Sequence, residues 1–272
     1  MSEAPPTSVQ SAFRCQKQPV CLPGGQGETF RCGDVVLKPC RNVIEANWIA
    51  RIHREIQQVG FRLPQPVQPS GGEWIVDGWE AWTFVGGHHS RERWGEVLAA
   101  CRTFHHTLGN VSKPAFLDKR DDPFSRADRI AWGEERADCH PHLLQIMQPL
   151  QSLVEPVNLP SQIIHGDFTE NVLFEEGHPP AVIDLSPFWR PADYALAIVL
   201  VDALDWCGAD ESIFQWVGDI PAINQLMVRA ELFRIAVYDG FHKQGVDALG
   251  AAEGHLKTIE VLTHRINASR AT

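Results

Sequence analysis

His165-Gly166-Asp167-Phe168-Thr169-Glu170-Asn171 is the stretch on which the reading of this chain turns. It follows a short apolar run, Gln162-Ile163-Ile164, that has the composition of a strand. It leads into Asn171-Val172-Leu173-Phe174 and, past Glu176-Gly177, into Ala181-Val182-Ile183-Asp184. Two β-rich runs around a glycine-containing turn predict a hairpin. An Asp on a loop after a strand can accept a hydroxyl proton. An Asn four residues later can reach a metal ion beside it, and Asp184 at the end of the following strand can give the same ion a carboxylate. Hard cations such as Mg²⁺ take oxygen ligands, usually one or two carboxylates plus substrate phosphates. Loop Asp, nearby Asn and strand-end Asp therefore make an economical phosphoryl-transfer site. The plainer alternative is that Asp167 caps a turn while Asn171 and Asp184 begin and end a hairpin.

Working outward, the first third is strand-rich. Val20 to Lys38 reads as two short strands around Gly24-Gly25-Gln26-Gly27, the second being Asp34-Val35-Val36-Leu37-Lys38. Residues before it read as a loose arm. Asn42 is a candidate N-cap for a helix with Glu45 in its first turn and Ile44, Trp48, Ile49, Ile52 and Ile56 at helical spacing, stopped by Gly60. Two more strands are predicted near 73–76 and 80–85, followed by a Gly86-Gly87 break. Beyond it the pattern is helical over 94–108, 138–153, 192–207, 220–243 and 251–265, interrupted by the strand and hairpin around His165. Strands followed by helices predict an α+β protein of two lobes, residues 1–87 and 88–272.

The order of these pieces resembles the protein-kinase-like superfamily, and HGD in place of HRD is similar to aminoglycoside phosphotransferases and choline kinases. The resemblance covers about residues 20–210. It implies a two-lobed fold with a strand-rich N-lobe and a helical C-lobe, using ATP and Mg²⁺. It implies Asp167 as catalytic base or acceptor-orienting residue, with Asn171 and Asp184 as metal ligands. Gly24, Gly25 and Gly27 correspond to the phosphate-covering loop, where glycines let backbone N–H groups approach oxygens. Lys38 corresponds to the lysine on the α/β-phosphates and Glu45, with Glu55 as the competing candidate, to its ion-pair partner, while Thr83-Phe84-Val85 corresponds to the hinge beside adenine. His105 and His165 take structural positions in that comparison. HGDFTENVLF and IDLSPFWRPADYA resemble a mainly actinobacterial branch with no assigned substrate, so the likeness implies a mechanism and no acceptor.

Bulk properties narrow the partners. The chain has 272 residues, a formal net charge of −10 and a pI near 5.6. That balance argues against nonspecific nucleic-acid binding, which needs Lys and Arg on phosphates, and is compatible with a small, cationic acceptor. No run of about 18 apolar residues predicts a membrane span, and MSEAPPTSVQ lacks the blocks of a signal peptide. A cytoplasmic protein is expected. Seven cysteines without a CxxC pair argue against a disulfide framework or structural zinc, including at Cys139-His140-Pro141-His142. Asp202, Asp205 and Trp206 read as a polar helix face or as contacts to a cationic acceptor. Asp167 and Asn171 are four apart where the superfamily places them five apart. This keeps open a pseudokinase that binds nucleotide or a partner without transfer. A metal-dependent hydrolase would explain Asp167 and Asp184, but not the glycine loop and Lys38.

Overall fold

The computed structural model describes residues 4–23, 27–69 and 72–270. In chain order the elements are α1 (Thr7–Ala12), β1 (Val20–Cys21), β2 (Phe30–Cys32), β3 (Val35–Pro39), α2 (Val43–Glu55), β4 (Ile75–Val76), β5 (Trp79–Thr83), α3 (Trp94–Leu108), α4 (Pro123–Ala131), α5 (Pro141–Leu153), β6 (Ser161–His165), β7 (Val172–Leu173), β8 (Ala181–Val182), β9 (Pro187–Pro191), α6 (Ala192–Asp205), α7 (Ile223–Lys243) and α8 (Leu256–Arg270). Short 3₁₀ turns lie at Leu117–Lys119, Glu211–Trp216 and Leu249–His255. The chain forms two compact units, residues 1–89 with 171–185, and residues 90–170 with 186–272.

The first unit is built on an antiparallel sheet of order β1-β2-β3-β5-β4. Asp77 and Gly78 close the β4–β5 hairpin with φ of 47° and 76°, the positive pair that a two-residue turn needs to match the strand twist. Side chains alternate across β3 and β5. Leu37 and Ala81 point into a core shared with Val9, Phe13 and Cys32. The N-terminal residues are thus not a loose arm. Val9 and Phe13 are four apart on and just past α1, and both are fully buried. Cys15 and Cys32 form a disulfide, with Cα atoms 5.5 Å apart, so one bridge exists where the cysteine pattern suggested none. Asn42 caps α2 by accepting from the N–H groups of Ile44 and Glu45.

The β7–β8 hairpin pairs Val172 with Val182 and Leu173 with Ala181. The division at residue 87 puts this hairpin with the helices. By contacts it clusters with the sheet unit, because backbone bonds join Arg62 to Pro180 and Val182 and His88 to Phe174.

The second unit is helical around one two-stranded ribbon, in which β6 pairs antiparallel with β9. Strand β9 escapes a sequence reading because prolines stand at both ends, and a missing N–H is tolerated in a ribbon with no further neighbour. Helix α6 is buried from Tyr194 to Ala203, as expected of a helix that is apolar all round. Helix α4 was not foreseen, although Asp122-Pro123 with Ser125 makes a capping box with Pro at the first position. No helix among the described residues is long and apolar enough to cross a membrane.

Candidate active site

In the sheet unit, the face of β3 and β5 opposite the core carries Val36, Lys38, Glu80 and Trp82, which line an open cavity. Leu22, Thr29, Ile183 and Leu185 complete much of its wall, and Thr83, Phe84 and Val85 stand at its rim. Lys38 faces Glu80 in register across the two strands. Its Nζ lies 2.7 Å from Asp184 Oδ1 and 3.6 Å from Glu80 Oε1. Burial works to lower the Lys38 pKa, but the two carboxylates outweigh it and hold the ammonium charged. Burial pushes the Glu80 carboxyl up, against the pull of Lys38.

Asp184 has φ of 49°, in the left-handed region that Asp tolerates better than most residues. The Ile183 N–H donates to the Asn171 carbonyl at 2.9 Å, so the hairpin brings the Asn171 and Asp184 backbones to one end. Oxygen donors from an amide and a carboxylate suit a hard cation. An apolar cavity with a cation at one end suits a flat ring carrying an anionic tail. The predicted residues therefore fit Mg²⁺ and a nucleotide by donor chemistry.

In the helical unit, strand β6 ends on fully buried His165. The His165 N–H donates to His105 Nε2 at 2.9 Å, and His105 Nδ1 donates to the Cys101 carbonyl at 2.7 Å. Both ring atoms are thus committed with the imidazole neutral, and burial pushes the His105 pKa down to about 3. His165 Nδ1 in turn accepts from the N–H groups of Asp167 (3.1 Å) and Ser186 (3.4 Å). Gly166 is needed for close packing: a Cβ there would stand 2.4 Å from the Phe188 ring. Both histidines are braces, as read from the sequence.

Asp167 is 58% exposed, and its Oδ1 lies 3.1 Å from Arg234 Nη2. Arg234 is 9% exposed and binds Asp202, itself 1% exposed, in a bidentate pair of 2.7 and 2.6 Å. The Thr169 hydroxyl donates to the same Asp202 carboxylate at 2.6 Å. Burial pushes the Asp202 carboxyl up and Arg234 and Thr169 oppose that. Burial likewise works against the Arg234 charge, and Asp202 and Asp167 override it. Two backbone-distant carboxylates thus share one fixed guanidinium, a geometry its planar fork suits.

Lys38 pairs with Glu80 and Asp184, and Glu45 sits in the first turn of α2. Gly27 has φ of 68°, as a tight turn requires, while Gly24 and Gly25 lie outside the described residues. The Thr83 and Phe84 N–H groups donate to Gln65 and Asp34. Asp202 and Asp205 are not a solvated helix face, since both side chains are buried. Arg234 was missed, although Arg229, Glu231 and Arg234 stand out in the otherwise apolar run from Leu226 to Val237. Charges inside a buried helix demand partners, and that was the available signal.

The chain matches the Phosphotransferase enzyme family over residues 24–212. No curated protein matches it. Among solved structures it resembles choline kinase LicA from Streptococcus pneumoniae, at 10% identity and a TM-score of 0.62, covering 95% of this chain and 98% of that one. A thermostable mutant of aminoglycoside phosphotransferase APH(4)-Ia in complex with ADP and hygromycin B gives 14% identity and a TM-score of 0.61 over 94% and 97% of the two chains. An aminoglycoside phosphotransferase from Alicyclobacillus acidocaldarius gives 18% and 0.61 over 98% of each. At these identities the likeness shows a shared kinase-like fold, with a strand-rich N-terminal region and a helical C-terminal part.

Proposed function

We propose, from the premise that this chain belongs to the phosphotransferase enzyme family, that it moves the γ-phosphate of ATP to a hydroxyl, less readily an amine, of a small molecule. The observation that carries this reading is the 2.7 Å Lys38–Asp184 ion pair at the wall of an apolar cavity. It joins a cation suited to phosphates with a carboxylate suited to a metal. Lys38 contacts the α/β-phosphates, held by Asp184 with Glu80 as the second, looser acid beside it. Gly24, Gly25 and Gly27 lie over the phosphates. The Thr83 and Phe84 amides are already bonded, so adenine is read by the carbonyls of this segment and by Val85. Asn171 and Asp184 hold Mg²⁺, which when bound neutralises charge on the phosphate oxygens. Asp167 orients the acceptor hydroxyl and takes its proton. A loose phosphoryl-transfer transition state asks mostly for positioning of this kind. The ADP and hygromycin B complex of a fold relative supports a nucleotide and a small acceptor as the two ligands.

The rival is a chain that binds nucleotide without transfer, and one observation favours it: the Asp167 carboxylate is already engaged by Arg234. Calorimetric titration of Mg-ATP into wild type and Asp184→Ala tests the shared part of both readings. Metal-dependent binding that weakens in the variant is expected, and no binding to either chain overturns both. Asp167→Ala separates them. In a kinase it lowers turnover by about 10²- to 10⁴-fold, the range of a lost general base, with nucleotide binding unchanged. Unchanged turnover removes Asp167 from the chemistry.

A further inference from the structure

The end of α6, the middle of α7 and the 3₁₀ turn before α8 bring Asp205, Glu231 and His255 together, with one ligating atom from each within 4.8 Å of the others. Asp205 Oδ2 and Glu231 Oε1 both lie 2.9 Å from the same atom, His255 Nδ1, and all three side chains are at most 1% exposed. A ring nitrogen carries at most one proton, so it can satisfy one of these carboxylates and not both. Beyond that shared nitrogen, Asp205 Oδ1 and Glu231 Oε2 are buried without a hydrogen-bond partner among the described residues. With a neutral imidazole the cluster holds two buried negative charges. With an imidazolium it still holds one, and the orphaned oxygens remain. Buried charge of this kind is relieved either by uptake of a proton or by a compensating cation.

We propose that Asp205, Glu231 and His255 form a binding site for a divalent transition-metal ion. A dication balances two carboxylates and a neutral imidazole, and it gives the unpartnered oxygens something to bind. One imidazole with carboxylates suits zinc, which accepts nitrogen and oxygen donors at about 2.0–2.2 Å. Mg²⁺ and Ca²⁺ prefer all-oxygen sets. The far ring nitrogen fits as well: His255 Nε2 lies 3.1 Å from the Tyr238 hydroxyl. An Nε2–H donated to that oxygen leaves Nδ1 free to ligate, the outer arrangement usual for metal-bound histidine. The site lies wholly in the helical unit and is independent of the proposed Asn171–Asp184 pair. The ion pins the C-terminal end of α6 and the start of α8 to α7, so its role is structural and its binding adds to folding stability.

The test uses the full chain carrying Asp184→Ala, which removes the other proposed metal site, after dialysis against chelator. Zn²⁺ is added, excess is removed by gel filtration, and metal is counted by elemental analysis alongside thermal unfolding. One zinc per chain and a melting point raised by several degrees are expected. Adding Glu231→Gln or, separately, His255→Gln should weaken binding by tenfold or more and abolish the thermal shift. Glu231→Gln keeps the shape of its side chain, so it reports on the metal even where His255→Gln fails to fold. No retained zinc with an unmoved melting point overturns the site. So does zinc that Glu231→Gln leaves unchanged, which would place the ion elsewhere.

Discussion

Asp184 and Asp167 each rest against a cation, but the two cations are held differently. Lys38 reaches Asp184 from a strand at the wall of an open cavity, with Glu80 as a looser second partner at 3.6 Å. Arg234 reaches Asp167 from a buried helix, locked by two short bonds to Asp202, which is itself held by Thr169. The first pair can exchange partners when a phosphate or a metal arrives, since lysine is a mobile point charge. The second is scaffold. Its guanidinium is fixed before any ligand binds, and the exposed Asp167 is aimed by it. In the reading proposed above, the sheet unit supplies adaptable charge and the helical unit supplies preset geometry.

Removing the lock should have the largest effect. Asp202→Ala leaves Arg234 buried with only the exposed Asp167 for company. Breaking a buried pair from one side costs about 3–5 kcal/mol, read as a lower urea midpoint with an unchanged slope. A loss under about 1 kcal/mol would mean that Arg234 swings out to solvent, and the contrast with Lys38 would fail.

The braces behind the loop give the next effect, through pH. His105 is held neutral with its pKa pushed down to about 3, below the roughly 6.5 of an unfolded histidine. Between those values the unfolded chain binds a proton that the folded chain refuses. Stability therefore falls as pH drops from about 6.5 toward 3, by about 1.4 kcal/mol per pH unit for this one group. His105→Asn should shallow the wild-type slope by that amount when urea midpoints are followed from pH 7 to 5. Parallel slopes would show that His105 titrates normally and that β6 is not braced through it.

What was legible in the sequence divides along the same line. Helix α3 and the β7–β8 hairpin are local patterns, and they form where the spacing placed them. Lys38 was legible as a strand residue, but its acid partner was not. Glu80 faces it only through the β3–β5 register, and pairing across strands far apart in sequence is a tertiary choice. Arg234 and Asp202 are 32 residues apart on two helices, and no periodicity links them. Helix α1 failed for a different reason: six residues are too few for a helical pattern to stand out, and only burial of Val9 and Phe13 against the sheet fixes it.

The smallest effect belongs to Glu80, and it sharpens the comparison most. Glu80→Gln keeps the length and polarity of the side chain and removes its charge. If Lys38 is adaptable, Asp184 at 2.7 Å keeps the ammonium in place. The loss of the 3.6 Å partner then costs within about 1 kcal/mol of stability, as for partly solvated ion pairs generally. The change should instead appear in ligand binding. Lys38 with one acid fewer is more available to an anionic tail, so affinity for nucleotide should rise, or fall by no more than a few-fold, in a calorimetric titration. A loss of tenfold or more would mean that Glu80 positions Lys38 as firmly as Asp202 positions Arg234. Both cations would then be preset, and the difference between them would lie only in burial.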